Sequence, residues 1–253
     1  MKRFIVKNKS AGNKKAFEII KAQVLKKPSS LLGLAVGKTT DGIYKLISKD
    51  VVKSPKIWKK VKLFQIDENL GISSDSKASF NFEIRRELKK LLKIINPKNI
   101  FLMNGLESPK KIIKDAYKFI RKNKGIDLIV LGIGPDYDPH IAYNTTGKSS
   151  LNSKMRAVDL HPKIAAKIKV VRARRGVPQQ GITLGIKDIL QTKKVLLIAY
   201  EKEKAKSLKL AFAGKVDTKR ASASALQMHK DLNVIIDVNA SRFLSRKLSS
   251  KNS

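Results

Sequence analysis

Apolar positions along the chain recur in two patterns. Short runs rich in aliphatic and β-branched residues, at 31–36, 61–66, 100–103, 126–133, 182–186, 194–200 and 233–238, predict strands. The run 126–133, broken only by Asp127 and Gly132, reads as a strand buried on both faces. Between these runs, 11–26, the IYKLISK stretch, 80–95, 109–124 and 201 to about 213 carry apolar residues at helical spacing. A short edge strand is expected at 2–6 and another strand around 155–160. Strands alternating with helices in this way predict an α/β Rossmann-like three-layer fold, with a largely parallel sheet and helices on both faces.

The 253 residues suffice for one domain of this class, expected over 1–246. The polar stretch 147–180 reads as a loop or lid, and 247–253 as a flexible tail. Without cysteine there are neither disulfides nor thiolate metal sites, and His140, His161 and His229 are too scattered for a metal cluster, so no metal and no cofactor is expected. The N-terminus lacks the long apolar core of a signal peptide, and no segment approaches the ~18 apolar residues of a membrane span. These features predict a cytoplasmic protein with no membrane partner.

Lysine and arginine number 55 against 20 acids, a formal net charge of +35. Such a surface favours non-specific polyanion binding at low salt. The lysines are spread through the predicted helices and are not interleaved with aromatics, however, which argues against a dedicated nucleic-acid partner.

Candidate chemistry gathers just past the carboxyl ends of the predicted strands, where open α/β sheets keep their ligand sites. After 126–133 come Asp136, Asp138 and His140. An aspartate two residues before a histidine either orients the imidazole for acid/base work or belongs to an exposed turn. After 61–66 stand Asp67 and Glu68, as proton acceptors or as caps of the next turn. After 31–36 stand Gly37, Lys38 and Thr39, which either cap a helix or cradle an anion, although the spacing is not that of a Walker loop. Arg172, Arg174 and Arg175 form either a solvated face or an anion clamp.

In order, LAVGKTTDGIYK, FQIDENLGI, NIFLMNG, GIGPDYDPHIAYN, GITLGIKDIL and SASALQMHKDLNVIID make most of the chain resemble the glucosamine-6-phosphate deaminase and 6-phosphogluconolactonase family. The HIAYN words favour the deaminase branch, whereas Gly134-Pro135-Asp136 is closer to the lactonases. The resemblance implies a cytoplasmic enzyme, with no cofactor, that converts an amino-sugar phosphate to a ketose phosphate and ammonia. It implies that Asp67 moves a proton between C1 and C2, that His140 helps open the sugar ring, and that Asp138 orients it. Gly37, Lys38 and Thr39 fall on the family's phosphate loop and Lys204 on its phosphate lysine. One of Arg172, Arg174 and Arg175 falls on its phosphate arginine. A lactone hydrolase, a weakly catalytic sugar-phosphate binder and a homo-oligomer remain open.

The chain departs from the family pattern at three places. Thr145 stands where the deaminases carry a glutamate that completes a relay with the histidine, which implies slower ring opening. Pro139 replaces the glycine before the histidine and is expected to alter its presentation. Lys38 replaces the second glycine of the phosphate loop, which is expected to conflict with a positive φ there.

Overall fold

A computed structural model describes residues 1–170 and 179–244. In chain order its strands are β1 (Lys2–Val6), β2 (Leu31–Leu34), β3 (Lys62–Gln65), β4 (Asp67–Asn69), β5 (Ile100–Phe101), β6 (Leu128–Leu131), β7 (Arg156–Asp159), β8 (Gln180–Thr183), β9 (Val195–Ala199) and β10 (Leu232–Asp237). Seven of them form one parallel sheet in the order β1-β10-β9-β6-β2-β3-β5.

The continuous apolar runs are explained by what covers the sheet. Successive strand residues point to opposite faces, and here both faces are covered. In β9, Val195, Leu197 and Ala199 join a core containing Ile112 and Ala116 from the helix Pro109–Lys122 and Leu208 and Ala211 from the helix Ala205–Phe212. Leu196 and Ile198 join the opposite core, with Ala16 and Ile20 from the helix Lys9–Lys26 and Ile43 and Ile47 from the helix Asp41–Lys53. The result is the three-layer α/β arrangement that the alternating pattern predicts.

Several expected elements change shape. The single helix read over 80–95 is two, Phe80–Glu87 and Lys89–Leu92. The Ser48 hydroxyl donates to the Glu87 carbonyl at 2.8 Å, and Leu88 leaves helical geometry at φ −105°, ψ 20°. The strand read over 182–186 is Gln180–Thr183, because Gly185 instead starts the helix Ile186–Leu190, its N–H bonded to Asp188 at 3.0 Å.

A second sheet is new. β4, β8 and β7 pair antiparallel, with Asp67 opposite Thr183 and Arg156 opposite Thr183 on the other side. Ile66 is the single residue between β3 and β4. Its N–H bonds Leu34 at 3.4 Å and its carbonyl accepts from Leu184 at 2.9 Å, so the chain changes sheets at this point. That switch sets Asp67 at the carboxyl edge of the main sheet.

Glu201, just beyond β9, has φ 76° and ψ 158°, a region essentially reserved for glycine. Both carboxylate oxygens of Asp237 accept its N–H at 3.1 Å and help hold it there. Glu201→Gly is expected to stabilise the protein by about 1 kcal/mol, read as a higher urea midpoint at unchanged m-value. A lower midpoint would show that this backbone stores no strain.

Candidate active site

A cleft of about 460 Å³ opens at the carboxyl edge of the main sheet, lined by Gly37, Thr39, Asp67 and His140 among others. Three segments build it: the loops after β2 and β6, and the stretch from β4 into the helix Phe80–Glu87.

The loop after β6 folds back on itself. The Gly134 N–H bonds the His140 carbonyl at 2.8 Å, and a Cβ on Gly134 would stand 2.2 Å from the Asp138 carbonyl oxygen and 2.6 Å from His140 Nδ1. Only glycine allows this approach. Inside the loop, Asp138 is buried, with Oδ2 2.8 Å from His140 Nδ1 and Oδ1 accepting the Thr146 N–H at 2.8 Å. Burial by itself raises the Asp138 carboxyl. The hydrogen bond and charge of His140, with the Thr146 N–H, outweigh burial and hold the group below the usual carboxylate range. An anionic Asp138 accepts from Nδ1, so Nδ1 carries a proton and Nε2 is the ring nitrogen left to face a bound molecule. Pro139 does not disturb this pairing, and its carbonyl accepts the Ala223 N–H at 3.0 Å.

Asp67 and Glu68 are neighbours with different surroundings. Glu68 is fully buried, and its carboxylate accepts five donors. They are the N–H groups of Asn69 at 2.7 Å, Phe80 at 2.9 Å and Asn81 at 2.8 Å, the Ser79 hydroxyl at 2.8 Å and the Gln65 amide at 2.9 Å. Two of these N–H groups open the helix Phe80–Glu87, where helix donors lack internal partners. Glu68 therefore ties that helix to β4. Asp67 faces the cleft, and its carboxyl is pushed up to about 8 by burial and by the adjacent Glu68 charge.

In the loop after β2, Gly37 takes φ 129°, with no atom within 4 Å of where a Cβ would stand. Thr40 closes the turn, its N–H bonding the Gly37 carbonyl at 2.9 Å, and the helix Asp41–Lys53 follows. Lys38 is not among the positive-φ residues, so a side chain there is compatible with the turn, contrary to the conflict expected from the sequence. Lys38 is exposed and does not line the cleft, whereas Thr39 does. The Lys204 ammonium donates to the carbonyl of Ile133, a cleft residue, at 2.6 Å. Arg172, Arg174 and Arg175 lie outside the described residues.

The sequence reading missed part of the lining. Phe80 and Tyr143 stack at 5.6 Å, and the Tyr143 hydroxyl donates to Asn69 at 2.8 Å. Ile164, from the helix Pro162–Val170, closes the same side, and Glu83 enters from the helix Phe80–Glu87. Tyr143 was within sight in the HIAYN words, but Glu83 carries no local signal. Thr145 lines a neighbouring cavity, with Lys148, Ser149 and Arg156, and is not among the residues that line this cleft. Among the described residues no group of three or more acids or histidines could hold a metal, and no helix is long and apolar enough to cross a membrane.

Comparison with known proteins agrees with this geometry. Residues 9–235 match the family of glucosamine-6-phosphate isomerases and 6-phosphogluconolactonases. A glucosamine-6-phosphate deaminase of Clostridium botulinum (strain Loch Maree / Type A3) is 35% identical over 250 residues, covering 98% of this chain and 100% of the relative. One from Thermoanaerobacter sp. (strain X514) is 32% identical over 246 residues, covering 96% and 95%. The solved structure of a monomeric glucosamine-6-phosphate deaminase superposes with a TM-score of 0.87 at 26% identity, over 96% of this chain and 100% of that one. A 6-phosphogluconolactonase from Trypanosoma cruzi shares the fold at a TM-score of 0.77 and 18% identity, over 96% and 97%. The chain belongs to the glucosamine-6-phosphate isomerase/6-phosphogluconolactonase family.

Proposed function

We propose that the protein is a glucosamine-6-phosphate deaminase, with Asp67 as the proton-transferring base and the Asp138–His140 pair as the ring opener. The observation that carries this reading is a carboxyl pushed up to about 8 in the same cleft as an oriented imidazole. A carboxylate of raised pKa is a stronger base toward carbon than an ordinary one, and at neutral pH it can both take and return a proton.

In the first step His140 Nε2 accepts the C1 hydroxyl proton as the bond between C1 and the ring oxygen breaks, and passes that proton to the ring oxygen. Asp67 then removes the C2 proton, whose acidity comes from the substrate's own C1 carbonyl, and delivers it to C1, while a proton from the amino group passes to the C1 oxygen. The C2 imine that results takes up water and loses ammonia, leaving the ketose phosphate. Gly37 and Thr39 offer the phosphate a loop at a helix N-terminus. Lys204 and one of the arginines at 172, 174 and 175 supply charge, with Lys38 at the loop's exposed edge. The +35 surface steers a phosphorylated substrate inward.

The test is ammonia release together with fructose 6-phosphate formation from glucosamine 6-phosphate. His140→Ala is expected to lower turnover by about 100-fold or more while sugar-phosphate binding persists. Equal turnover would remove His140 from the mechanism. Gly134-Pro135-Asp136 favours a second reading, hydrolysis of 6-phosphogluconolactone with His140 activating water. Lactonase activity retained in Asp67→Asn, with no ammonia from the wild type, would select it.

A further inference from the structure

Asp67 and His140 come from different parts of the fold. Asp67 opens β4 in the three-stranded sheet, whereas His140 lies in the loop after β6 of the main sheet. The proton transfer needs both groups on one bound sugar, so the distance between them has to be held. Tyr143, three residues after His140, makes contacts on both sides of Asp67. Its N–H donates at 3.1 Å to the hydroxyl of Thr183, the residue opposite Asp67 on β8. Its own hydroxyl donates at 2.8 Å to Asn69 Oδ1, two residues beyond Asp67 on β4. Alternate strand residues share a face, and Asp67 and Asn69 both line the cleft.

Both ends of this contact are fixed. Asn69 Nδ2 donates to the Ala78 carbonyl at 2.8 Å, which turns Oδ1 toward the tyrosine. The Tyr143 ring stacks on Phe80 and lies against Gly181, the residue opposite Asn69, where a Cβ would stand 2.7 Å from the ring's Cδ2. The chain enters Tyr143 from Ala142 at φ 49°, a left-handed backbone that alanine keeps only where its surroundings hold it. Burial, with the Asp67 and Glu68 charges, keeps the phenol protonated well beyond the ordinary tyrosine range, so the hydroxyl stays a donor.

We propose that Tyr143 is a positioning residue: its bonds to Asn69 and Thr183 fasten the loop that carries His140 to the strand that carries Asp67. They hold the base within reach of C1 and C2 of the sugar that the imidazole opens. The hydroxyl acts through Asn69 and not on the substrate. This inference rests on the deaminase reading.

The experiment follows ammonia release from glucosamine 6-phosphate, with hydrogen and with deuterium at C2. It compares the wild type, Tyr143→Phe, Asn69→Ala and the double variant, with rates referred to folded protein by circular dichroism. Misplacing a reacting group by about 1 Å can cost about 10²-fold, and Tyr143→Phe removes one of two tethers, so kcat is expected to fall about tenfold. KM should stay within about twofold, and the isotope effect should be no smaller than the wild type's, because the slowed step is the C2 proton transfer. In the Asn69→Ala background the same substitution should change kcat by less than about twofold, since the bond it removes is already gone. Losses that multiply in the double variant overturn the proposal, as does an unchanged kcat, a rise in KM alone or a smaller isotope effect. Those failures leave the deaminase reading standing, whereas no ammonia from the wild type overturns that reading and this inference with it.

Discussion

Asp67→Asn is expected to lose ammonia release by about 10²–10⁴-fold and, at the same time, to make the folded protein more stable at pH 8. Both effects come from burial of the carboxyl in the cleft beside Glu68. The amide cannot accept the C2 proton, so the transfer between C1 and C2 stops. The stability gain follows from linkage. The folded-state pKa of Asp67, about 8, lies above its ordinary value of 3.8, so the folded state binds the proton more tightly than the unfolded state. The wild type therefore bears no penalty below about pH 4, an increasing one as pH climbs toward 8, and the full penalty above that. A pKa unit is worth about 1.4 kcal/mol, so even half of this displacement amounts to about 3 kcal/mol.

Urea unfolding of both proteins at pH 4 and pH 8 reads the effect as a difference that opens with pH. The acidic limb of kcat/KM in the wild type should likewise rise through the neighbourhood of pH 8, because the base must be ionised to act. Full activity in the variant, or a variant less stable than wild type at pH 8, would remove Asp67 from the role proposed for it.

The largest loss of stability is expected from Glu68→Ala. Five donors converge on this carboxylate, three of them backbone N–H groups that lose their acceptor when the side chain is gone. Removing a buried charge that satisfies several partners costs about 3–5 kcal/mol, to be read as a shift in the denaturant midpoint. Glu68→Gln keeps the shape but turns an NH₂ toward groups that are themselves donors, so its loss should be intermediate. Removing the Glu68 charge also takes away the second cause of the Asp67 shift, so the acidic limb of kcat/KM in Glu68→Gln should move to lower pH. A loss below about 1 kcal/mol for Glu68→Ala would mean that the helix Phe80–Glu87 is held in place by other contacts.

The sequence by itself determined the features governed by backbone periodicity and short loops. Buried strands need largely apolar runs, so β2, β6, β9 and β10 were visible as strands, β6 as one buried on both faces, and alternation with helices implied a largely parallel sheet. The Asp138–His140 pairing was equally visible, because the two side chains are two residues apart and Gly134 lets their loop close upon itself. Periodicity left two adjacent acids open and the motif resemblance pointed to Asp67, but only the tertiary structure shows why that acid and not Glu68 lines the cleft. Consecutive strand residues point opposite ways, and Glu68 became the structural anchor only because Ser79, Phe80 and Asn81 bring their donors to it. The sheet of β4, β8 and β7 was hidden for a related reason: Asp67–Asn69 is a poor strand former whose partner, Gln180–Thr183, is remote in sequence. Thr145 was drawn away from the cleft, and Glu83 into it, by packing between elements that no local pattern joins. Periodicity is a property of the chain, whereas the burial and proton affinity of an acid belong to whatever the fold packs against it.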